Sequence, residues 1–565
     1  MGKINFRRID AIRQTQGQIG NHVIDEFVSG RLSRRDFIRR GTIVGLSFPA
    51  IGALIAACGG SETSTTAETT GAAPVAGGTL IIASGTPSAA SANLDPVAIN
   101  DGNGIVFLAQ YGQWLTLSQS DLTLAGSLAT EWVPNDDASE WTFKLNPAAK
   151  YNDGSPVVAA DVVATIERLV NPDNASNSLS AFQTGKLSPG GTIAVDDNTV
   201  MFKLDAPMGN FPYIVSSDNY NAIILPASVT DTTKFATSNI PTSGPFMIES
   251  YDAVKGATMV RNPNYWGAAP MLDKVEVQFI DDLGAKVTAF QSGDIDVIAQ
   301  FPVIGGESLI NNPDVNLIEI PSTAHYQIHM RTSKGAFADK RARQAMSMAI
   351  DHQSMVDGLL QGKAQVANDT PFFTMFPSSG SGPAREFNLE KAKALMAEAA
   401  PDGFDVTLYS WQTQEIPDLA VLVQNAGKEL GINVKIELRD DYYDSYWVSW
   451  DANTPGSDLG ITDYGHRGVP DVFLNAPLLS VDKGGVWNAA EFANADYDAA
   501  VATYTSSVDL QSQQAAALKI QEILQDESPL MIPYNFNFMS AAQKNISGVT
   551  NSGMGQVYAE NASKS

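Results

Sequence analysis

Trp141-Thr142-Phe143-Lys144-Leu145, followed by Tyr151-Asn152-Asp153-Gly154-Ser155-Pro156-Val157 and Ala160-Asp161-Val162, carries the architecture of this chain in miniature. The first five residues alternate apolar and polar, the period of a half-buried strand whose successive side chains point to opposite faces. Asp153-Gly154 supplies a turn. Ser155 is expected to cap a helix whose first position is Pro156, where a missing N–H is harmless. Val158, Val162, Ile166, Leu169 and Val170 recur at helical spacing and give that helix one apolar face. Strand, tight turn and amphipathic helix in quick succession are the grammar of an α/β body.

The same mixture extends in both directions. Gly78-Thr79-Leu80-Ile81-Ile82-Ala83 reads as a short buried strand that opens the folded body, and a helix is expected over 105–117. Strands are expected over 199–204, 259–261, 272–279 and 432–438, with a short helix over 286–291. Asp339 starts a long helix through Leu360, Asn388 starts a second, and Pro417 a third that Gly431 stops.

Upstream, Ser33-Arg34-Arg35-Asp36-Phe37-Ile38-Arg39 precedes an apolar run over 41–57 and then Cys58. Paired arginines ahead of a short hydrophobic run are a twin-arginine export signal. Gly41, Gly45, Ser47, Pro49 and Gly52 dilute the run, which falls short of the about 20 apolar residues a spanning helix needs. Small residues before Cys58 resemble a lipobox, which implies lipidation of the Cys58 thiol and loss of 1–57. Residues 58–77 are Gly, Ser, Thr, Ala and Glu-rich, a flexible tether.

The chain has 565 residues, 44% of them hydrophobic and 17% charged, a globular profile long enough for two or three domains. Its net charge of −26 excludes nucleic acid as a partner, because neutralising phosphates requires clustered cations. The single cysteine rules out an internal disulfide. The body contains no Gly-x-Ser-x-Gly elbow, His-Glu-x-x-His motif or phosphate-binding loop, so nothing argues for a secreted hydrolase.

Several blocks taken together resemble the extracellular solute-binding proteins of ABC importers, family 5, the dipeptide, oligopeptide and nickel-chelate type. They are the opening stretch, Gly244-Pro245-Phe246 with Arg261-Asn262-Pro263-Asn264-Tyr265-Trp266-Gly267, and Phe337-Ala338-Asp339 with Arg343-Gln344-Ala345 and Ala349-Ile350-Asp351. Asp463-Tyr464 with Pro470-Asp471 and Phe473-Leu474 completes the set. Departures are Thr242-Ser243 for the more frequent Gly-Thr, Arg331 where Asn is usual, and the five-residue spacing from Tyr464 to Pro470. The resemblance implies a two-lobed α/β periplasmic-binding-protein type II fold with an extra subdomain inserted in the first lobe. Lobe I is then expected at 78–115, 222–320 and 527–560, the inserted subdomain at 116–221, and lobe II at 321–526.

It further implies a monomer that performs no catalysis, uses no cofactor or metal, and sits outside the cytoplasm, anchored to the membrane at Cys58. Such a protein captures a peptide between its lobes and delivers it to ABC permease subunits. An oligosaccharide, an opine-like conjugate or a metal chelate are the other ligand classes, and a sensing lipoprotein the other use of the fold. By resemblance, Asp463 pairs with a ligand ammonium group, a strong charge-assisted bond once lobe closure removes water. Tyr464, His466 and Arg467 share its loop, and Arg467 has the fork geometry for a carboxylate. Trp411, after the strand 406–410, is a stacking candidate. Tyr443, Tyr446, Trp447 and Trp450 fall at helical spacing and read mainly as core, with Trp447 kept as a loose candidate. His325, Gln327 and His329 share one strand face and read as structural or cleft-lining, with Tyr326 on the other face as a site candidate. His352 reads as surface.

Overall fold

The computed structural model describes residues 76–449 and 456–565; the export signal, Cys58 and Trp450 lie outside them. Two seven-stranded sheets carry the two lobes. The first orders Val315–Ile320, Phe538–Gln543, Val297–Ile298, Thr79–Ser84, Lys274–Phe279, Gly256–Arg261 and Phe246–Asp252. Thr79–Ser84 runs parallel to both its neighbours, and such strands are buried on both faces, which explains the unbroken Leu80-Ile81-Ile82-Ala83. The second sheet orders Ala364–Val366, Tyr534–Phe536, His325–Met330, Leu459–Tyr464, Phe404–Ser410 and Ile432–Leu438, with Leu530–Met531 also against His325–Met330. A separate antiparallel sheet of Ala129–Pro134, Glu140–Leu145, Thr199–Lys203 and Thr192–Asp196 lies within the inserted segment.

One continuous apolar core joins the first lobe to that inserted sheet, from Leu80 and Phe107 through Phe143 and Ile166 to Val557. The second sheet has separate cores on its two faces, one holding Tyr326, Ile328 and Leu419, the other Phe373, Tyr464 and Phe473. Leu122, at the tip of the hairpin Thr116–Ser118 and Leu124–Gly126, is 2% exposed and packs into the second of these cores. The inserted segment therefore reaches across and buries a side chain in the opposite lobe.

The chain passes between the sheets twice, through 321–324 and through Asn537. Strand pairing moves the expected return to the first lobe from 527 to 537, because Leu530–Met531 and Tyr534–Phe536 both belong to the second sheet.

Local chemistry shifts three other expectations. The helix after the Asp153-Gly154 turn begins at Ala159, not Pro156: Val158 N–H donates to the Asp161 carboxylate at 2.9 Å, so an acid in the first turn does the capping assigned to Ser155. Asp153 instead holds the turn, accepting from Ser155 N–H at 2.9 Å. The long helix from Asp339 is two, Lys340–Met348 and His352–Leu360, because Asp351 folds back to cap Ser354 N–H and opens a new start. The helix expected over 105–117 is Gly102–Tyr111, and Thr116 already belongs to the hairpin. Among the described residues no helix is long and apolar enough to cross a membrane.

Candidate ligand-binding cleft

Three parallel strands of the second sheet, Phe404–Ser410, Ile432–Leu438 and Leu459–Tyr464, end at one edge. In such sheets ligands meet the carboxyl ends of strands, where loops converge. Trp411 follows the first strand, the turn Tyr442–Tyr446 follows the second, and Asp463 is the last residue but one of the third. Trp411 Nε1–H donates to Asp463 Oδ1 at 2.9 Å, and the Tyr443 hydroxyl donates to the same oxygen. The Trp411 and Tyr443 rings meet edge to face, 5.8 Å apart. Asp463 is half-buried, and its other oxygen has no hydrogen-bond partner among the described residues. Burial and the neighbouring carboxylate push the Tyr443 hydroxyl above its usual range, so it remains a donor.

Strand alternation sends the next residue to the opposite face. Tyr464 is buried, stacked on His325 at 5.5 Å and set edge to face on Phe473. Trp447 lies half-buried beside Trp487, and Tyr443 meets it edge to face at 5.2 Å. Tyr326 does not join these groups: it is 1% exposed, its hydroxyl donates to Glu415 at 3.0 Å, and its ring packs on Tyr534 and Phe536. Strand register places it beside Asp463, but its long side chain is spent on the lobe core.

His466 and Arg467 sit where the lobes meet. Nδ1 of His466 accepts Thr323 N–H at 3.0 Å, and Arg467 N–H donates to the Thr323 hydroxyl at 2.8 Å, stitching the loop to one crossover. Nε2 of His466 faces Asp218 Oδ1, on the inserted segment, at 3.9 Å. Burial holds His466 down to about 3, so it is neutral. Burial pushes Asp218 up to about 6, partly countered by the Ser118 hydroxyl and the Arg467 charge. Gly468 is required here, since a Cβ would meet Asp218 Oδ2 at 1.8 Å. A second bridge joins the inserted segment to the second lobe: Asn210 Nδ2 donates to Asp471 at 2.8 Å, Gln513 donates to Asn210 at 3.0 Å, and Gly209 N–H to Thr505 O at 2.9 Å.

Beside these contacts lies a cavity of about 370 Å³, lined by Ser118, Leu122, Asp218, His466, Asn551 and Glu560 among others. That volume is within the range of small-ligand sites. Among the described residues no cluster of three or more His, Cys, Asp or Glu could hold a metal ion. His325 and His329 are buried and bonded to Thr323 O and Ser457. His352, read as surface, is 7% exposed and bonded to Ala367 O. Arg331 is a clamp within the second lobe, paired with Asp458 at 2.9 Å and Glu491 at 3.3 Å.

Sequence spacing missed Tyr443, because the turn Tyr442–Tyr446 is a single π-type turn closed by Trp447 N–H on Tyr442 O, which breaks the four-residue register. It missed Asp218 too; the polar run Ser216-Ser217-Asp218-Asn219 was the available signal.

Residues 123–469, more than half the chain, match the model of bacterial extracellular solute-binding proteins, family 5. The probable D,D-dipeptide-binding periplasmic protein DdpA of Escherichia coli strain K12 is 27% identical over 476 residues, covering 80% of this chain and 88% of that protein. The periplasmic murein peptide-binding protein MppA of the same strain is 28% identical over 438 residues, covering 72% and 79%. The unliganded open form of MppA superposes with a TM-score of 0.73 at 23% identity, covering 88% of this chain and 99% of that one. The fold is therefore the two-lobed type II binding-protein fold, and proteins of this kind bind solutes for transport and are not enzymes. The chain belongs to family 5 of the bacterial extracellular solute-binding proteins.

Proposed function

We propose that this protein captures peptides outside the cytoplasm and delivers them to an ABC permease, with the ligand's α-ammonium group on Asp463. The observation that carries this is the asymmetry of the carboxylate: Trp411 and Tyr443 hold Oδ1, while no described residue donates to Oδ2. An ammonium ion supplies donors and the opposite charge, and a charge-assisted bond of this type is about twice as strong as a neutral one. Relatives named for dipeptides and murein peptides support the peptide class. The two crossovers at 321–324 and 537 are the natural hinge, and closing over ligand favours the closed shape by the ligand's differential affinity for it.

Export by the twin-arginine signal and lipidation of Cys58 complete the proposal. A tether over 58–77 then keeps the trap at high local concentration near the membrane. Native mass spectrometry of the protein straight from expression tests the ligand class: a retained mass that fragments as a peptide supports capture of peptides, and a sugar or a metal chelate contradicts it. A diacylglyceryl adduct on Cys58 is the expected mass of the membrane form.

A further inference from the structure

Leu122 is out of place in its own surroundings. The hairpin Thr116–Ser118 and Leu124–Gly126 turns through Gln119, Ser120, Asp121, Leu122 and Thr123. The four polar members of that turn are exposed, while Leu122 is 2% exposed. Its cover comes from the opposite lobe: every other member of the apolar core it enters lies between Ala367 and Ile532, among them Phe373, Tyr464 and Phe473.

Its backbone is as unusual as its burial. Leu122 has φ +61°, the left-handed region that asparagine and glycine visit readily and that is an outlier for a bulky side chain. Leu122 N–H donates to Gln119 O at 2.9 Å and Gln119 N–H to Thr123 O at 2.8 Å, which closes the turn. The Tyr213 hydroxyl, from the same inserted segment, donates to Leu122 O. Tyr213 itself lies against the loop of the second lobe, where a Cβ on Gly468 would meet its Cδ1 at 2.8 Å. Strain of this kind persists only where the surroundings over-determine it, and here it aims one apolar side chain out of a polar turn.

The socket is tied to the capture site. Tyr464, a member of the core that receives Leu122, is the residue after Asp463 on the strand Leu459–Tyr464. We propose that Leu122 is an interlobe clasp, seated in the second lobe when the lobes are closed and withdrawn from its socket before a captured solute leaves. It is a positioning residue that acts through closure rather than through contact with the solute. Opening about the crossovers takes its side chain into water, at a free-energy cost proportional to the apolar area exposed. The clasp rests on capture by lobe closure, not on the peptide class of the solute.

The test compares the mature wild type with Leu122→Asn and Leu122→Met. Asparagine suits the left-handed turn and removes the apolar side chain, so the hairpin keeps its shape while the clasp is lost; methionine keeps the apolar volume. Stopped-flow dissociation of trialanine should speed up about ten- to hundredfold in Leu122→Asn, the worth of burying one leucine side chain. It should stay within about twofold of wild type in Leu122→Met, the volume-conserving swap. A leucine that only fills the fold would lower the unfolding midpoint of Leu122→Asn and leave its dissociation rate at the wild-type value, which overturns the proposal. If trialanine does not bind the wild type, peptide capture fails, and small-angle scattering of the ligand-free protein decides the clasp. A larger radius of gyration in Leu122→Asn, absent in Leu122→Met, supports it, and equal radii overturn it.

Discussion

Trp411 Nε1–H and Asp463 Oδ1 are 2.9 Å apart, a hydrogen bond between the ends of two adjacent parallel strands. Together with the Tyr443 hydroxyl on the same oxygen, the bond fixes the orientation of a carboxylate at a half-buried edge. Orientation of this kind lowers the ordering cost of binding rather than adding a new contact.

Trp411→Phe keeps an aromatic ring and removes the donor. Ligand affinity should weaken about three- to thirtyfold, roughly 0.7–2 kcal/mol, because the lost bond orients the carboxylate rather than reaching the ligand. Tyr443→Phe should do the same, and the double variant should cost less than the sum because both donors serve one oxygen. Calorimetry with a bound peptide reads this, and full additivity would mean that the two act apart.

Tyr326→Phe separates core from site. The Tyr326 hydroxyl donates to the buried Glu415 carboxylate, whose burial raises its titration above the usual range. Removing the donor should destabilise the protein by about 1–3 kcal/mol, with ligand affinity unchanged within about twofold. Chemical denaturation and calorimetry on the same sample check both halves, and a selective loss of affinity would return Tyr326 to the site.

Much of this was legible in sequence. The turn at Asp153-Gly154, the caps Asn388 and Asp339, and the Leu80–Ala83 run follow from local chemistry that the structure retains. The aspartate-tyrosine pair was expected on a loop, but Asp463 and Tyr464 are the last two residues of the strand Leu459–Tyr464. What was hidden depends on tertiary partners. Nothing local distinguishes Tyr443, which meets Asp463, from Tyr446, which stacks on Tyr409 at 4.3 Å. Leu122 looks like an ordinary hairpin residue until the second lobe covers it. His352 reads as surface because the loop that buries it lies fifteen residues on.

The bridge Asn210–Asp471 should govern how tightly the lobes stay together. Asn210→Ala leaves a fully buried carboxyl without its donor, and burial already pushes Asp471 up to about 6. The closed arrangement should lose about 1–3 kcal/mol. Small-angle scattering of the ligand-free protein should show a larger radius of gyration than the wild type, returning to the wild-type value at saturating ligand. An unchanged radius would show that the bridge does not hold the lobes.

Acid should destabilise the protein through three histidines. Burial holds His325 down to about 4, and His329 and His466 to about 3, against 6.5 for a free imidazole. Their folded-state values are depressed, so the unfolded chain binds more protons below about pH 6.5 and stability falls as pH drops toward 4. Asp218 and Asp471, raised to about 6, act oppositely, since the folded form binds more protons between about pH 4 and 6. Glu415, also raised by burial, joins the carboxyls, but the imidazoles, held from 6.5 down to about 3 or 4, cost stability over the whole window, so the net change is a loss. The unfolding midpoint should fall between pH 6.5 and 4, and His466→Gln should flatten the slope. A midpoint that rises over that range would contradict the burial of these rings as neutral groups.

The central claim is that Asp463 receives the free amino group of a peptide. It is tested most directly by calorimetry with trialanine and N-acetyl-trialanine on the wild type and Asp463→Asn. Acetylation should weaken wild-type binding about ten- to hundredfold, the 1.5–3 kcal/mol of a hydrogen bond to a charged group, and should make no difference in Asp463→Asn. Equal wild-type affinities for the two peptides, or a penalty that survives in Asp463→Asn, would contradict the claim.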